Sequence, residues 1–232
     1  MFREALTYPV RGETAEESLL VGVALALATG LLVRLGVLAV LAVAPLVLLS
    51  GYALAVLRES AESNRGESGV DAPPGFADLR ELAADGVRAV VVTVGYLFVP
   101  VVALVITVGG AAGGAGGRPA TPGTSALLLG GGTVVLVVSL AFAYLLPAGL
   151  VAVARTGRLR SAVAPARFRR TMTNARYFVG WVAALVVGSV AGLVVGALAS
   201  LGRPGEVLAL AVGFYAVVVV ARLLGRGVAR AG

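Results

Sequence analysis

Three carboxylates share one short stretch of the chain at spacings that could support acid/base or metal chemistry. Asp78, Glu81 and Asp85 lie within eight residues, and carboxylate oxygens are the ligands that hard divalent cations prefer. The stretch 76–87 also carries apolar residues at helical spacing, which predicts a short amphipathic helix at the membrane interface leading into an apolar segment. Because no fourth ligand of a recognisable motif accompanies the carboxylates, a solvated acidic face is favoured over a metal or acid/base site.

A second group of residues is basic. Between residues 155 and 176 the chain has no acidic residue and seven arginines, namely Arg155, Arg158, Arg160, Arg167, Arg169, Arg170 and Arg176. One interpretation is topological, with these charges holding the connection on the cytoplasmic side. The other is that they also bind anionic lipid headgroups or an acidic partner, with Phe168, Met172 and Tyr177 inserting into the interface. Nucleic acid is not an expected partner, because the segment contains no recognisable reading module.

Several residue types are missing from the sequence altogether. It has no Cys and no His, and all 19 of its basic residues are Arg. This excludes thiolate and imidazole metal sites, disulfides, Ser-His-Asp triads and P-loop or Schiff-base lysines. We therefore expect a protein that is not an enzyme and that uses no cofactor and no metal.

The composition is that of a membrane protein. Of 232 residues, 59% are hydrophobic and 13% are charged, against about 25% charged in ordinary soluble domains. The mean hydropathy is +0.97. Six apolar segments approach the roughly 20 residues that a bilayer crossing requires, at 18–33, 35–57, 87–108, 125–154, 178–201 and 207–224. We predict a single transmembrane domain over 1–232, an all-α integral membrane bundle of about six helices with amphipathic interfacial segments in the cytoplasmic connections 58–86 and 155–177.

The distribution of arginine predicts the orientation. Only Arg34, Arg118 and Arg203 lie in the first, third and fifth connections, and the other 16 arginines lie at the two ends of the sequence and in the second and fourth connections. The positive-inside rule then places both termini in the cytoplasm and the protein in the cell membrane. The first segment is short and only Arg34 and Gly36 separate it from the second, so it could be a tilted span, a re-entrant element or half of a tight hairpin.

Within the apolar segments, small residues form the clearest pattern. They recur every four residues along the fifth segment, at Gly180, Ala184, Gly188, Gly192, Gly196 and Ser200. Such a ridge lets another helix approach closely, either from the same chain, which we favour, or from a second protomer. The central stretches of all six segments lack ionisable residues. Arg34 and Arg222 lie near segment ends, where the side chain can snorkel to water.

Several short motifs resemble those of a known family. They are Glu4-Ala-Leu-Thr-Tyr-Pro9, Gly51-Tyr52 with Val56-Leu57-Arg58, Pro73-Pro74 with Phe76, and Asp85-Gly86 leading to Tyr96 and Pro100. The chain is similar here to an archaeal family of multi-pass membrane proteins, frequent in haloarchaea and designated a domain of unknown function. The resemblance implies an archaeal plasma-membrane protein and supplies no catalytic or ligand-binding residues.

Three functional hypotheses follow. The first is a non-enzymatic helical bundle that organises lipid or a membrane partner through its two cytoplasmic surface segments. The second is a transporter or channel for a small uncharged or lipid-like solute, with a pathway lined by Thr93, Tyr96, Ser139 or Tyr144. It draws on glycine-rich helices and on prolines within or near the spans. The third, and least favoured, is an intramembrane enzyme using the carboxylates at 78, 81 and 85.

Overall fold

The structure, a computed structural model, describes residues 2–12, 15–62, 73–115, 122–163 and 173–231. Within these ranges the regular elements are all helical. The α-helices are α1 (Phe2–Thr7), α2 (Ala15–Val33), α3 (Val43–Glu62), α4 (Leu79–Ala115), α5 (Pro122–Thr156), α6 (Ala175–Ala199) and α7 (Arg203–Ala229). Short 3-10 helices lie at Tyr8–Val10, Gly36–Ala42 and Leu159–Val163.

Six helical segments are long and apolar enough to cross a membrane. They are Ala15–Val33, Gly36–Glu62, Leu79–Gly110, Leu129–Thr156, Ala175–Ala199 and Arg203–Ala229. This confirms the prediction of an all-α multi-pass membrane protein. α4 has 37 residues and α5 has 35, so each is more than about 50 Å long and exceeds a hydrocarbon core of about 30 Å.

The start of α4 differs from the sequence prediction. Within residues 73–115 the predicted amphipathic stretch does not form a helix of its own, because α4 begins at Leu79 and continues without a break into the apolar segment. Asp78 caps this helix, since its Oδ1 accepts hydrogen bonds from the backbone N–H groups of Arg80 and Glu81, both at 3.0 Å. The amphipathic residues are therefore the first turns of the spanning helix itself.

Glycines set the closest contacts between helices. α3 and α4 cross at Gly51 and Gly86, where a Cβ on either residue would collide with the backbone of the other helix. α6 and α7 meet at Gly180 and Gly227, and a Cβ on Gly180 would lie 2.7 Å from the Cα of Gly227. Buried side chains of α3, α4, α6 and α7 belong to one packed region around these contacts.

Outside this packed region the helices expose large apolar side chains. Val37 is 93% exposed, Leu193 76% and Leu129 74%. Apolar surface on this scale is incompatible with water in a monomer, and lipid chains cover it in a bilayer.

Candidate functional site

A cluster of charged side chains joins α3 to α4. The carboxylate of Asp85 is 7% exposed and accepts hydrogen bonds from two arginines. Arg88 Nη1 lies 2.7 Å from Asp85 Oδ1, and Arg58 Nη1 lies 3.2 Å from Asp85 Oδ2. A second carboxylate, the exposed Glu81, lies 3.3 Å from Arg58 Nη2. We call these four residues the charged cluster.

The aromatic side chain of Tyr52 ties the connection before α4 to the bundle. Its ring stacks on Phe76 with a centroid distance of 4.4 Å and an interplanar angle of 2°, and the ring of Phe214 from α7 lies 5.7 Å away. Nearby, the Ser18 hydroxyl donates to the carbonyl of Pro74 at 3.2 Å. The described end of this connection is therefore held by contacts to α2 and α3.

A cavity of about 530 Å³ lies between the helices. Faces of α3, α4, α6 and α7 line it, together with Leu150 of α5. Ser50 and Thr93 are the only polar side chains among its described lining residues, and the Ser50 hydroxyl donates within its own helix to the Leu46 carbonyl at 2.8 Å. The remaining lining residues are Gly, Ala, Val and Leu, so the cavity suits an apolar occupant.

A buried arginine lies on α7. Arg222 is 2% exposed, donates to the Ser60 hydroxyl at 3.2 Å and has its guanidinium 4.2 Å from the ring centroid of Tyr8. The snorkelling prediction is therefore wrong for Arg222, because the N-terminal segment covers it. Further contacts hold that segment: Arg226 pairs with Glu4 at 3.0 Å, and the Tyr215 hydroxyl donates to the carbonyl of Leu6.

The predicted arginines of the fourth connection are only partly within the described residues. Arg155, Arg158, Arg160 and Arg176 are exposed, and Arg155 Nη2 donates to the Ala61 carbonyl at 2.8 Å. Arg167, Arg169 and Arg170 lie outside the described residues. The described first part of the connection is anchored against α4, because Ala162 is buried and its carbonyl accepts a 2.6 Å hydrogen bond from the Tyr96 hydroxyl.

The residues of the predicted small-residue ridge lie in three environments. Gly180 and Ala184 are buried, with Gly180 packed against α7. Gly188 and Gly192 line the cavity, and a Cβ on Gly192 would meet nothing within 4 Å. Gly196 is equally open and Ser200 is exposed just beyond the last turn. Part of the ridge thus packs closely while the middle part borders empty space.

The polar residues proposed to line a pathway do not converge. Thr93 lines the cavity, whereas the Tyr96 hydroxyl is bonded to Ala162 and Ser139 is not among the lining residues. Tyr144 packs among aromatic rings, with centroid distances of 4.9 Å to Tyr177 and 5.3 Å to Trp181.

The three carboxylates of the sequence analysis have two different roles. Asp78 caps α4, while Glu81 and Asp85 face Arg58. Among the described residues, no group of three or more acidic side chains is arranged to hold a metal ion. The trio accordingly contributes to helix capping and ion pairing.

Sequence reasoning missed three features of this site. The pairing of Asp85 with Arg88 had a signal in their three-residue spacing on one helix face. The burial of Arg222 had a weaker signal. Arg222 follows a long apolar run, and an arginine at such a position usually pairs with other groups of the protein. The cavity had no signal in the sequence, because it depends on how four separate helices are placed.

These features define a class of protein: a helical multi-pass membrane protein with a charged cluster between α3 and α4 and an apolar cavity lined by four of its helices. The chain belongs to the family described as "Protein of unknown function (DUF4013)", whose model matches residues 34–200. That range contains the charged cluster and Tyr52, and leaves out α1, α2 and α7. No curated protein and no solved structure matches the chain.

Proposed function

We propose that the protein is a non-enzymatic component of an archaeal cell membrane that organises anionic lipid at its cytoplasmic face. The observation that supports this best is the anchored start of the arginine-rich connection. The hydrogen bond from Tyr96 to the Ala162 carbonyl and the burial of Ala162 fix this segment against α4. Arg158 and Arg160 precede this anchor and are exposed.

The energetic basis is electrostatic. Each arginine near an anionic leaflet contributes about 1 kcal/mol, so seven arginines in one connection supply substantial selectivity for negatively charged headgroups. In this proposal both termini lie in the cytoplasm, in keeping with the distribution of arginine. A second membrane protein or another copy of the chain would contact the exposed end of the small-residue ridge, and nucleic acid is not a partner.

Lipid analysis of the protein in native-lipid particles tests the proposal. We expect the particles to be enriched in anionic lipid over the bulk membrane, and neutralising Arg158, Arg160 and Arg176 to Gln to reduce that enrichment by at least about half. A variant with Arg34 and Arg203 changed to Gln is the control, since those residues lie in the sparsely charged connections. Equal enrichment in the wild type and the triple variant, at equal thermal stability, would refute the proposal.

The second candidate function is transport of a small uncharged or lipid-like solute. The cavity supports it, because Thr93 lies in its wall. A single cysteine at Thr93 would react with a membrane-impermeant maleimide if water reaches the cavity. A cysteine at the buried Val153 (0% exposed) serves as the unreactive reference. Lipid organisation predicts that both positions stay unlabelled.

A further inference from the structure

We propose that α5 contains a hinge at Pro147 and that two side chains of α6, Tyr177 and Trp181, form a clamp that holds it. Release of the clamp lets the first part of α5 (122–146) pivot relative to α6. This inference goes beyond the proposed function, because it concerns a movement of helices within the membrane and not the attraction of lipid to surface arginines.

Proline weakens α5 at one position. Pro147 lies inside the helix and has no backbone N–H, so the carbonyl of Ala143, four residues earlier, lacks its partner within the helix. Sharp bends in helices occur at prolines for this reason. The neighbouring helix α4 also contains a proline, Pro100. One turn before it, Tyr96 packs against Phe142 and Gly149, which flank Pro147, so α4 can bend together with α5.

Two donors from α6 bind the carbonyls at this position. The Trp181 indole N–H donates to the freed carbonyl of Ala143 at 3.1 Å, and the Tyr177 hydroxyl donates to the next carbonyl, that of Tyr144, at 2.5 Å. Tyr177 and Trp181 are four residues apart and therefore lie on one face of α6. They are 0% and 8% exposed, so water does not replace either hydrogen bond when it is lost. The two bonds thus favour the position that α5 has in the structure.

The two parts of α5 are packed differently. After the hinge, the buried residues are Ala148, Val151, Ala152, Val153 and Ala154. Before it, Val135 is the one buried side chain within residues 129–146. The facing part of α6 is open, because a Cβ on Gly192 or Gly196 would meet nothing within 4 Å. The last part of α5 is therefore fixed in the bundle, and a pivot at Pro147 changes the gap between its first part and α6.

Spin labels can measure this movement, because the natural chain has no cysteine that would need to be removed. We would introduce Val134→Cys on α5 and Leu193→Cys on α6, at positions that are 63% and 76% exposed. Double electron–electron resonance on the labelled full chain in lipid nanodiscs gives the distribution of distances between the labels. Residue 134 lies about 20 Å along the helix from the hinge, so a pivot of about 20° displaces it by about 7 Å.

Removal of both donors should release the hinge. The labelled parent should show one main distance. Tyr177→Phe combined with Trp181→Phe should raise the fraction of molecules at a displaced distance at least about fivefold, the factor expected from the loss of two hydrogen bonds. Tyr215→Phe is the matched control, because it removes a similar bond from a hydroxyl to the carbonyl of Leu6 and should leave the distribution unchanged.

A change at the hinge itself separates this proposal from a loss of packing. Pro147→Ala supplies a backbone N–H for the Ala143 carbonyl, so adding it to the double variant should restore the main distance of the parent. Packing lost through Trp181→Phe would not be restored by a substitution in α5. Rescue by Pro147→Ala is therefore the result that supports the hinge.

Two results would overturn the proposal. If the folded double variant and the parent gave the same distribution, Tyr177 and Trp181 would not be a clamp. If the displacement persisted after Pro147→Ala, the hinge would not be at Pro147. Thermal unfolding checks folding, and if the double variant does not fold, each single variant is compared with the parent and with Pro147→Ala in the same way. None of these results bears on the enrichment of anionic lipid in native-lipid particles, which tests the proposed function separately.

Discussion

At the scale of single residues, the carboxylate of Asp85 is almost fully buried and shared by Arg58 and Arg88. Asp85→Asn would leave both guanidinium groups without the charge that they share. We expect the free energy of unfolding to fall by about 1–3 kcal/mol, the usual cost of leaving a charged group unsatisfied. Thermal unfolding in detergent measures the loss, and a double-mutant cycle with Arg88→Gln isolates the pairwise energy.

Glu81→Gln is the matched control for this prediction. The Glu81 side chain is 58% exposed and pairs with the same Arg58, and exposed ion pairs contribute about 0–1 kcal/mol. If Glu81→Gln cost as much as Asp85→Asn, burial of Asp85 would not be the source of its effect.

The buried Arg222 provides a second prediction at this scale. Tyr8 is 1% exposed beneath its guanidinium. Tyr8→Ala should lower stability by about 3–5 kcal/mol, as for other large aromatic truncations, whereas Tyr8→Phe keeps the ring under the cation and should cost clearly less. Chemical denaturation in mixed micelles would compare the two. Equal losses would show that the aromatic face does not stabilise Arg222.

At the scale of helices, the crossing of α3 and α4 depends on the absence of a side chain at Gly86. A methyl group there would collide with the backbone of α3 at Val47, so Gly86→Ala should destabilise the protein by about 1–3 kcal/mol through overpacking. Gly95, on the same helix, has nothing within 4 Å of its Cβ position. Gly95→Ala should be neutral or stabilise the helix by up to about 1 kcal/mol. The expected result is a lower unfolding temperature for Gly86→Ala and an equal or higher one for Gly95→Ala, and a loss at Gly95 equal to that at Gly86 would contradict it.

The helices themselves could be predicted from the sequence, but their meeting points could not. Runs of apolar residues identify a spanning helix because any apolar segment of about 20 residues is long enough to cross the hydrocarbon core of a bilayer. That signal is nearly the same around the whole helix, so it does not say which face packs. In the sequence, Gly51 and Gly86 are indistinguishable from other small residues. Only the structure shows that the backbones of α3 and α4 meet at these two positions. Gly188 and Gly192 continue a four-residue ridge in the sequence, yet line a cavity.

Prolines and helix caps explain why some helix ends differ from those predicted by the sequence. Pro100 and Pro147 lie inside α4 and α5 without ending them, because membrane helices tolerate proline when neighbouring groups satisfy the freed carbonyls. The cap at Asp78 starts α4 well before the apolar run begins. Hydropathy alone therefore placed the start of the third span eight residues later than the helix begins.

At the scale of the whole molecule, an ion pair links the two ends of the sequence. Arg34 follows α2 and pairs with Glu206 in the first turn of α7. α2 thus reaches the same end of the bundle as the turn between α6 and α7, which favours a complete crossing by the first apolar segment over a re-entrant one. A helix of 19 residues is about 28 Å long, which is close to the roughly 30 Å thickness of a hydrocarbon core.

The orientation of the bundle can be read with single cysteines, because the natural chain has none. Thr7→Cys and Thr173→Cys alter exposed positions near α1 and before α6, and Ser200→Cys and Leu35→Cys alter exposed positions at the opposite helix ends. If the arginine-rich connections face the cytoplasm, an impermeant maleimide should label residues 35 and 200 in intact cells, and residues 7 and 173 only after permeabilisation. Labelling of 200 but not 35 would mean that the first segment does not cross. The reverse pattern at 173 and 200 would place the arginines outside, and with them the surface on which the proposed lipid binding depends.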